Sequence, residues 1–335
     1  MSVLPFVSDL SQVVSAASPG IPSPSQGTWY LWVIPVRPYA LLILTGIVVG
    51  GWLANRRWIA RGGQSGTVVD VLMWAVPGGI IGARAYHVLS RLQDYVGAGR
   101  DPWDILRIWE GGLAIFGGLI GGGLAAWYAC HRLGIPLPAF ADALAPGIAI
   151  GQAFGRWGNY VNQEIYGRPT SLPWGLRIDP ENRPAAYPDA ETFHPTFLYE
   201  SLWSLLTAAV VIWADRRYRL GHGRAFALYL AMYGTARAVL ELLRVDEANL
   251  VLGVRVNQLT ALLVVVLAVG YILISSRRRP GRETHVEGGT AAAAEDVDET
   301  TRASEFPRTT PTRAPTGTSA ANGRGSPPRR RHPSP

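Results

Sequence analysis

Gly155-Arg156-Trp157-Gly158-Asn159-Tyr160-Val161-Asn162-Gln163-Glu164-Ile165-Tyr166-Gly167-Arg168 follows a run of mostly small and apolar residues over 144–154. Two arginines, two asparagines and a glutamate thus arrive together at the end of what reads as a membrane span. Polar density at the edge of hydrocarbon is costly, and it marks a functional site by default.

The composition outside this stretch supports a membrane reading. Hydrophobic residues make up 48% of the chain and charged residues 16%, and nearly all the apolar ones precede position 276. The sequence predicts an all-α integral membrane protein with a polar, Pro/Ala/Thr/Arg-rich tail that is disordered. The expected organisation is an extracytoplasmic leader over 1–36, a transmembrane domain over 37–276 and a cytoplasmic tail over 277–335. A signal peptide is not expected, since the first arginine is Arg37 and there is no basic n-region before it. The net charge is +7 and every basic residue is arginine. These arginines flank apolar spans instead of forming a patch with interleaved aromatics. That arrangement argues against nucleic acid and for the lipid bilayer as partner. Cys130 is the one cysteine, with no CxxC or Cys/His spacing around it, so it reads as a small buried hydrophobe and no metal site is expected.

Seven apolar segments lie near 38–54, 68–90, 113–130, 139–155, 196–213, 225–243 and 255–275. Each has about the length a bilayer requires at ~1.5 Å per helical residue. The fourth is short and contains Asp142 and Pro146. Clustered arginines (Arg56, Arg57 and Arg61; Arg132; Arg216, Arg217, Arg219 and Arg224; Arg277, Arg278, Arg279 and Arg282) fall on one side of the bundle. The positive-inside rule makes that side cytoplasmic, with the N-terminus outside and the C-terminus inside. Glycines such as Gly78-Gly79, Gly117-Gly118 and Gly121-Gly122-Gly123 are expected to bring helices into close contact or to admit a ligand.

Four polar constellations point to one outward-facing polar cavity. Arg156 and Asn159 are three apart on a helix face, and Tyr233, Arg237 and Glu241 form a column at i, i+4, i+8. His194-Pro195 through Tyr199-Glu200 opens the fifth span, and the fourth constellation joins Arg37 and Tyr39 at the start of the first span to Gly82-Ala83-Arg84 inside the second. Each has a purely structural alternative. Arg237 and Glu241 make an i,i+4 ion pair on their own, and Glu200 or Asp142 suffices to neutralise Arg84. Arg56, Arg57, Arg216, Arg217 and Arg219 serve as topology determinants; His87 and His131 serve as packing or interfacial residues. Magnitude favours a ligand for the set. A charge at the centre of a span costs about 2.5–3.5 kcal/mol on insertion scales, and buried ion pairs often fail to repay their desolvation. A surplus of arginine facing a cavity is explained by something anionic bound there. Arginine offers paired donors to a phosphate and can stabilise it as a leaving group. A phospholipid-consuming transferase needs both services. A transporter or flippase for an anionic lipid would use the same arginines without breaking a bond, but no inverted repeat or matched pair of broken helices is visible.

The stretch over 155–164 closely resembles the signature of the prolipoprotein diacylglyceryl transferases. Further matches are Trp109-Glu110-Gly111-Gly112 with Gly117-Gly118, His194-Pro195 with Leu198-Tyr199-Glu200, Tyr233-Gly234 with Arg237 and Glu241, and Asn257-Gln258. The resemblance implies a seven-helix enzyme of the bacterial cytoplasmic membrane that uses no metal or cofactor. Its implied reaction moves the diacylglyceryl group of phosphatidylglycerol onto the lipobox cysteine thiol of preprolipoprotein signal peptides, releasing glycerol phosphate. Arg156 and Arg237 then match the essential arginines that grip the headgroup, and Asn159, Glu164, Glu241 and Tyr39 match other catalytic residues. Arg84, Tyr233, Glu200, Gly111, Gly117 and Asn162 join Arg156 and Arg237 as expected substrate-binding residues. One departure stands out: where some members carry a histidine base before the Gly-Gly pair, this chain has Phe116. Thiol activation is then expected from the positive field of Arg156 and Arg237, with a carboxylate or tyrosine taking the proton and His194 as the second choice of base.

Overall fold

The computed structural model describes residues 20–286, apart from 26, 33, 97–99, 246–249 and 252. The tail beyond 286 and the first part of the leader lie outside the described residues. Seven long helices follow one another: α1 (Pro38–Ile59), α2 (Thr67–Ser90), α3 (Ile115–Arg132), α4 (Leu137–Val161), α5 (Thr196–Tyr218), α6 (Arg224–Leu240) and α7 (Val256–Arg278). Two-stranded antiparallel ribbons decorate one end. They are β1 (Trp29–Leu31) with β2 (Ile34–Val36), β3 (Leu176–Arg177) with β4 (Thr192–Phe193), and β5 (Leu250–Val251) with β6 (Val254–Arg255).

Six of the helices are long and apolar enough to cross a membrane. They carry exposed large apolar residues such as Leu44, Val48, Trp52, Val266 and Leu267, as a lipid solvent requires. The seventh, α3, falls short in composition, because five glycines dilute it and it ends on His131-Arg132. The sequence pointed instead to the fourth span as the shortened one. In the structure α4 has 25 residues and carries Pro146 inside it. Half of its most apolar window is buried, against 17–39% in the other five candidate spans. Neighbouring helices surround Pro146 and can satisfy the backbone group it frees, so the helix continues through it. At ~1.5 Å per residue, α4 outreaches the ~30 Å hydrocarbon layer. Its last turns therefore carry Arg156 and Asn159 to the edge.

Glycine seams join the helices in pairs. A Cβ on Gly82 would lie 2.4 Å from Gly117 O, and one on Gly121 would lie 2.4 Å from Gly78 O, so α2 and α3 touch backbone to backbone. The same closeness joins α1 to α4, where a Cβ on Gly50 would lie 2.5 Å from Gly147 O. Close backbone approach is how membrane helices gain packing energy when lipid is as apolar as leucine.

At the ribbon end, Leu176, Ile178, Phe193 and Phe197 form a small core over the α4–α5 connection. The described leader docks on it: Ile21 N donates to Gly175 O at 2.7 Å, and Arg177 N donates to Ile21 O at 2.9 Å. At the opposite end, Asp215 of α5 accepts from Arg57 at 2.9 Å, Arg61 at 3.1 Å and Arg282 at 2.6 Å. Asp142 of α4 accepts from the backbone N–H groups of Gly223 and Phe226, both at 2.9 Å, capping the start of α6 from another helix. Helix α7 runs on to Arg278. Beyond it the chain folds back until Val286 is buried beside Trp58, Val68 and Phe140.

Gly82→Val is expected to open the α2–α3 seam, because the added atoms meet backbone that has no rotamer to change. The expected loss is at or above the ~1–3 kcal/mol typical of overpacking. Thermal unfolding in detergent checks it, and an unchanged transition would contradict the seam.

Candidate active site

The end of α4 organises the site. Arg156 Nε pairs with Glu200 Oε2 on α5, and Arg156 Nη1 donates to Asn159 Oδ1 at 3.3 Å. Asn159 Nδ2 passes the contact on to Glu164 Oε1 at 2.9 Å, and Asn162 Nδ2 donates to the same oxygen at 3.3 Å. The turn that returns Glu164 to α4 runs through Gln163 and Ile165, both in the left-handed region at φ 49° and 56°. Such φ values disfavour a bulky side chain, so the turn needs outside support. Gln163 supplies it, donating to Pro24 O and Asp179 Oδ2, each at 2.8 Å, and accepting from Asp179 N at 2.9 Å.

The column on α6 completes the site. Arg237 Nη2 pairs with Glu241 Oε2 at 3.0 Å, and Arg237 Nη1 lies 3.9 Å from Glu200 Oε1. Glu241 Oε1 also faces Arg255 at 3.4 Å and Asn257 Nδ2 at 3.2 Å. The charges therefore alternate along a line, Arg156, Glu200, Arg237, Glu241, Arg255, drawn from α4, α5, α6, the turn after it and β6. Glu200 and Glu241 are both buried, so each arginine is held from behind.

In front of this line lies a cavity of about 970 Å³. Tyr39, Arg156, Asn159, Tyr233, Arg237 and Arg244 line one part of it, and Ile43, Ile47, Leu72, Val76, Phe116 and Ile148 line the apolar part. No Asp, Glu or His is among the described residues of its wall. A space with guanidinium groups and phenols at one end and aliphatic walls elsewhere suits an amphiphile with an anionic head.

Of the residues expected from the sequence, Tyr39, Arg156, Asn159, Tyr233 and Arg237 thus face the cavity. Glu200, Glu241 and Glu164 stand behind them as partners. Asn162 and Glu164 line a separate polar hollow of about 440 Å³ next to Gln163 and Glu181. Arg84, Gly111 and Gly117 do not line the large cavity. The Arg84 guanidinium donates to four carbonyls, Asp104 at 2.5 Å, Ile105 at 2.7 Å, Gly111 at 2.8 Å and Gly112 at 3.1 Å. Its charge is solvated by backbone dipoles, and among the described residues neither Glu200 nor Asp142 forms an ion pair with it. Gly111 is one of those acceptors, and Gly117 belongs to the α2–α3 seam. His194 also lies off the cavity wall, with Nδ1 3.4 Å from the Tyr199 hydroxyl and its backbone bonded to Gly167 and Arg168. Arg244, Arg255 and Gln163 were not expected. Arg255 is signalled only by its place shortly before Asn257-Gln258.

A sequence profile described as prolipoprotein diacylglyceryl transferase matches residues 27–274, which include all but the last residues of the helical bundle. The chain belongs to that family. Among its relatives are the phosphatidylglycerol–prolipoprotein diacylglyceryl transferases of Streptomyces griseus, 56% identical over 279 residues (83% of this chain, 84% of the relative), and Streptomyces avermitilis, 54% over 281 residues (83% and 81%). The Rhodococcus jostii relative of the same name is 47% identical over 293 residues, covering 83% of this chain and 82% of its own length. Family membership and six apolar helices make the chain a multi-pass membrane protein.

In this member of the prolipoprotein diacylglyceryl transferases, Glu200→Gln is expected to lower the unfolding temperature, because two arginines lose a shared counter-ion. The cost should fall below the ~3–5 kcal/mol of a fully buried pair, since the arginine side chains are 22% and 17% exposed. An anionic amphiphile should recover part of the loss by returning the negative charge. Equal recovery by a zwitterionic amphiphile of the same chain length would contradict this account.

Proposed function

We propose that the chain transfers the diacylglyceryl group of phosphatidylglycerol to the lipobox cysteine thiol of preprolipoprotein signal peptides. In this reading it works in the bacterial cytoplasmic membrane, with its N-terminus and the large cavity on the outer side. The carrying observation is that Arg156 and Arg237 stand together at the polar end of an otherwise apolar cavity, sharing Glu200 behind them. The clustering of arginines at the opposite end supports the orientation.

The chemistry follows from this arrangement. The peptide thiolate attacks the glycerol carbon that carries the phosphate ester. A C–S bond forms as the C–O bond breaks, and the electron pair leaves on the phosphate oxygen. Glycerol phosphate departs with one more negative charge than the diester held. Arg156 and Arg237 are placed to bind the diester and to hold the extra charge, and Glu200 and Glu241 keep their guanidinium groups oriented. The lipid chains occupy the aliphatic walls. Phe116 lies in the wall, so the ring at the family's histidine position cannot accept a proton here. The positive field of the arginines favours the thiolate, and Tyr39, whose ring packs over Gly158 at the cavity edge, relays the proton outward. Arg84 holds the connection before α3 in place and does not touch lipid.

Mass spectrometry of a one-cysteine lipobox peptide, incubated with phosphatidylglycerol and purified protein, tests this reading. Wild type should add one diacylglyceryl group, and Arg156→Ala or Arg237→Ala should be slower by roughly 10²–10³-fold, the usual loss for a group that stabilises developing charge. A peptide left unmodified by wild type while lipid still binds would overturn the transferase assignment. Tyr39→Phe should bind lipid normally and turn over slowly at neutral pH. Its rate should recover as pH rises toward the thiol pKa of about 8.5, and a pH-independent defect would remove Tyr39 from the proton path.

A further inference from the structure

A second cavity, of about 350 Å³, lies at the end of the bundle opposite the large one. Arg56, Arg57, Arg61, Arg216, Arg219 and Arg282 line it, and Asp215 is the one carboxylate among the described residues of its wall, a surplus there of five positive charges. Asp215 already serves Arg57, Arg61 and Arg282. Arg57 spends further donors on the carbonyls of Ala143 at 3.1 Å and Asp142 at 3.0 Å. Arg216 and Arg219 are exposed and have no ion-pair partner among the described residues. The decisive group is Arg61. Its side chain is 1% exposed, yet Nε and Nη1 have no hydrogen-bond acceptor among the described residues. Asp142 Oδ2 is 3.8 Å from Nη1, beyond hydrogen-bond range, and both Asp142 oxygens are taken by the start of α6. Only Nη2 of this buried guanidinium is hydrogen-bonded, and one carboxylate shared among three arginines leaves the pocket with positive charge to offer a further anion.

The surroundings say what carries that anion. Leu53 and Ile212 form the pocket's apolar wall, and Trp52 and Trp213, their neighbours on α1 and α5, are exposed at the same level. Exposed tryptophans at helix ends mark the headgroup region of a bilayer, and basic pockets between membrane helices bind anionic headgroups. We propose that this pocket binds a phosphate group carried on a lipid headgroup, in the leaflet away from the large cavity. The bound lipid would tie α1, α5 and the segment after α7 together through their arginines.

Thermal unfolding of the full chain in nonionic detergent tests the proposal, with phosphatidic acid, phosphatidylcholine and inorganic phosphate as separate additions. Phosphatidic acid should raise the transition saturably while phosphatidylcholine does not. Arg216→Gln/Arg219→Gln, both exposed positions, should lose at least half of that shift. Arg156→Ala, which disables the large cavity, should keep most of it. Circular dichroism checks that both variants are folded, and native mass spectrometry should count one fewer retained phosphatidic acid in the double variant. A shift that survives the double variant but vanishes in Arg156→Ala would put the lipid in the large cavity and overturn the proposal. An equal saturable shift from inorganic phosphate alone would overturn the lipid source and assign the pocket to soluble phosphate.

Discussion

One carboxylate shared by two guanidinium groups sets the terms for this protein. Glu200 lies between Arg156 and Arg237, and without it two like charges from different helices would face each other across a space of low dielectric. Repulsion at short range in such a medium is far stronger than in water. With Glu200 in place, α4, α5 and α6 are held at the spacing that lets both arginines look into one cavity. Glu241 repeats the device one step along, between Arg237 and Arg255. The line of alternating charges is thus structural and functional together, and neither role can be assigned to a single residue.

The two ends of the bundle solve related problems with different supplies. Where the large cavity opens, each buried carboxylate has arginines around it and the helices end in turns tied down by Gln163 and by the ribbon core. At the other end one aspartate, Asp215, stands among many arginines, and the second, Asp142, is occupied with capping α6. Positive charge is therefore in excess in the described walls of both cavities, but only one of them is large and mostly apolar.

The helices and the column Tyr233, Arg237, Glu241 were legible because a period of 3.6 residues is written directly in sequence. Arg156 and Asn159 were legible for the same reason, as was their position at the edge. The partners of Arg84 are not legible in sequence, because they are backbone carbonyls of residues 104–112 and a carbonyl carries no sequence signal. For Glu200 the pattern gives a helix face but not its partners, and only the coordinates show it paired with both Arg156 and Arg237. Gln163 lies within the quoted signature, but its role comes from a left-handed turn that only coordinates reveal. The fourth span was judged by Asp142 and Pro146. In the fold, Asp142 has backbone donors and Pro146 is buried within the bundle.

The composition of α3 bears on how the chain reaches its membrane. With five glycines and a His-Arg end, this helix offers little to a lateral gate that releases segments singly by their own apolarity. Its partner seam on α2 is complete without any contribution from lipid. Because α2 is apolar enough to enter the bilayer by itself, α3 would depend on it for its own place there, and the two would settle as one hairpin.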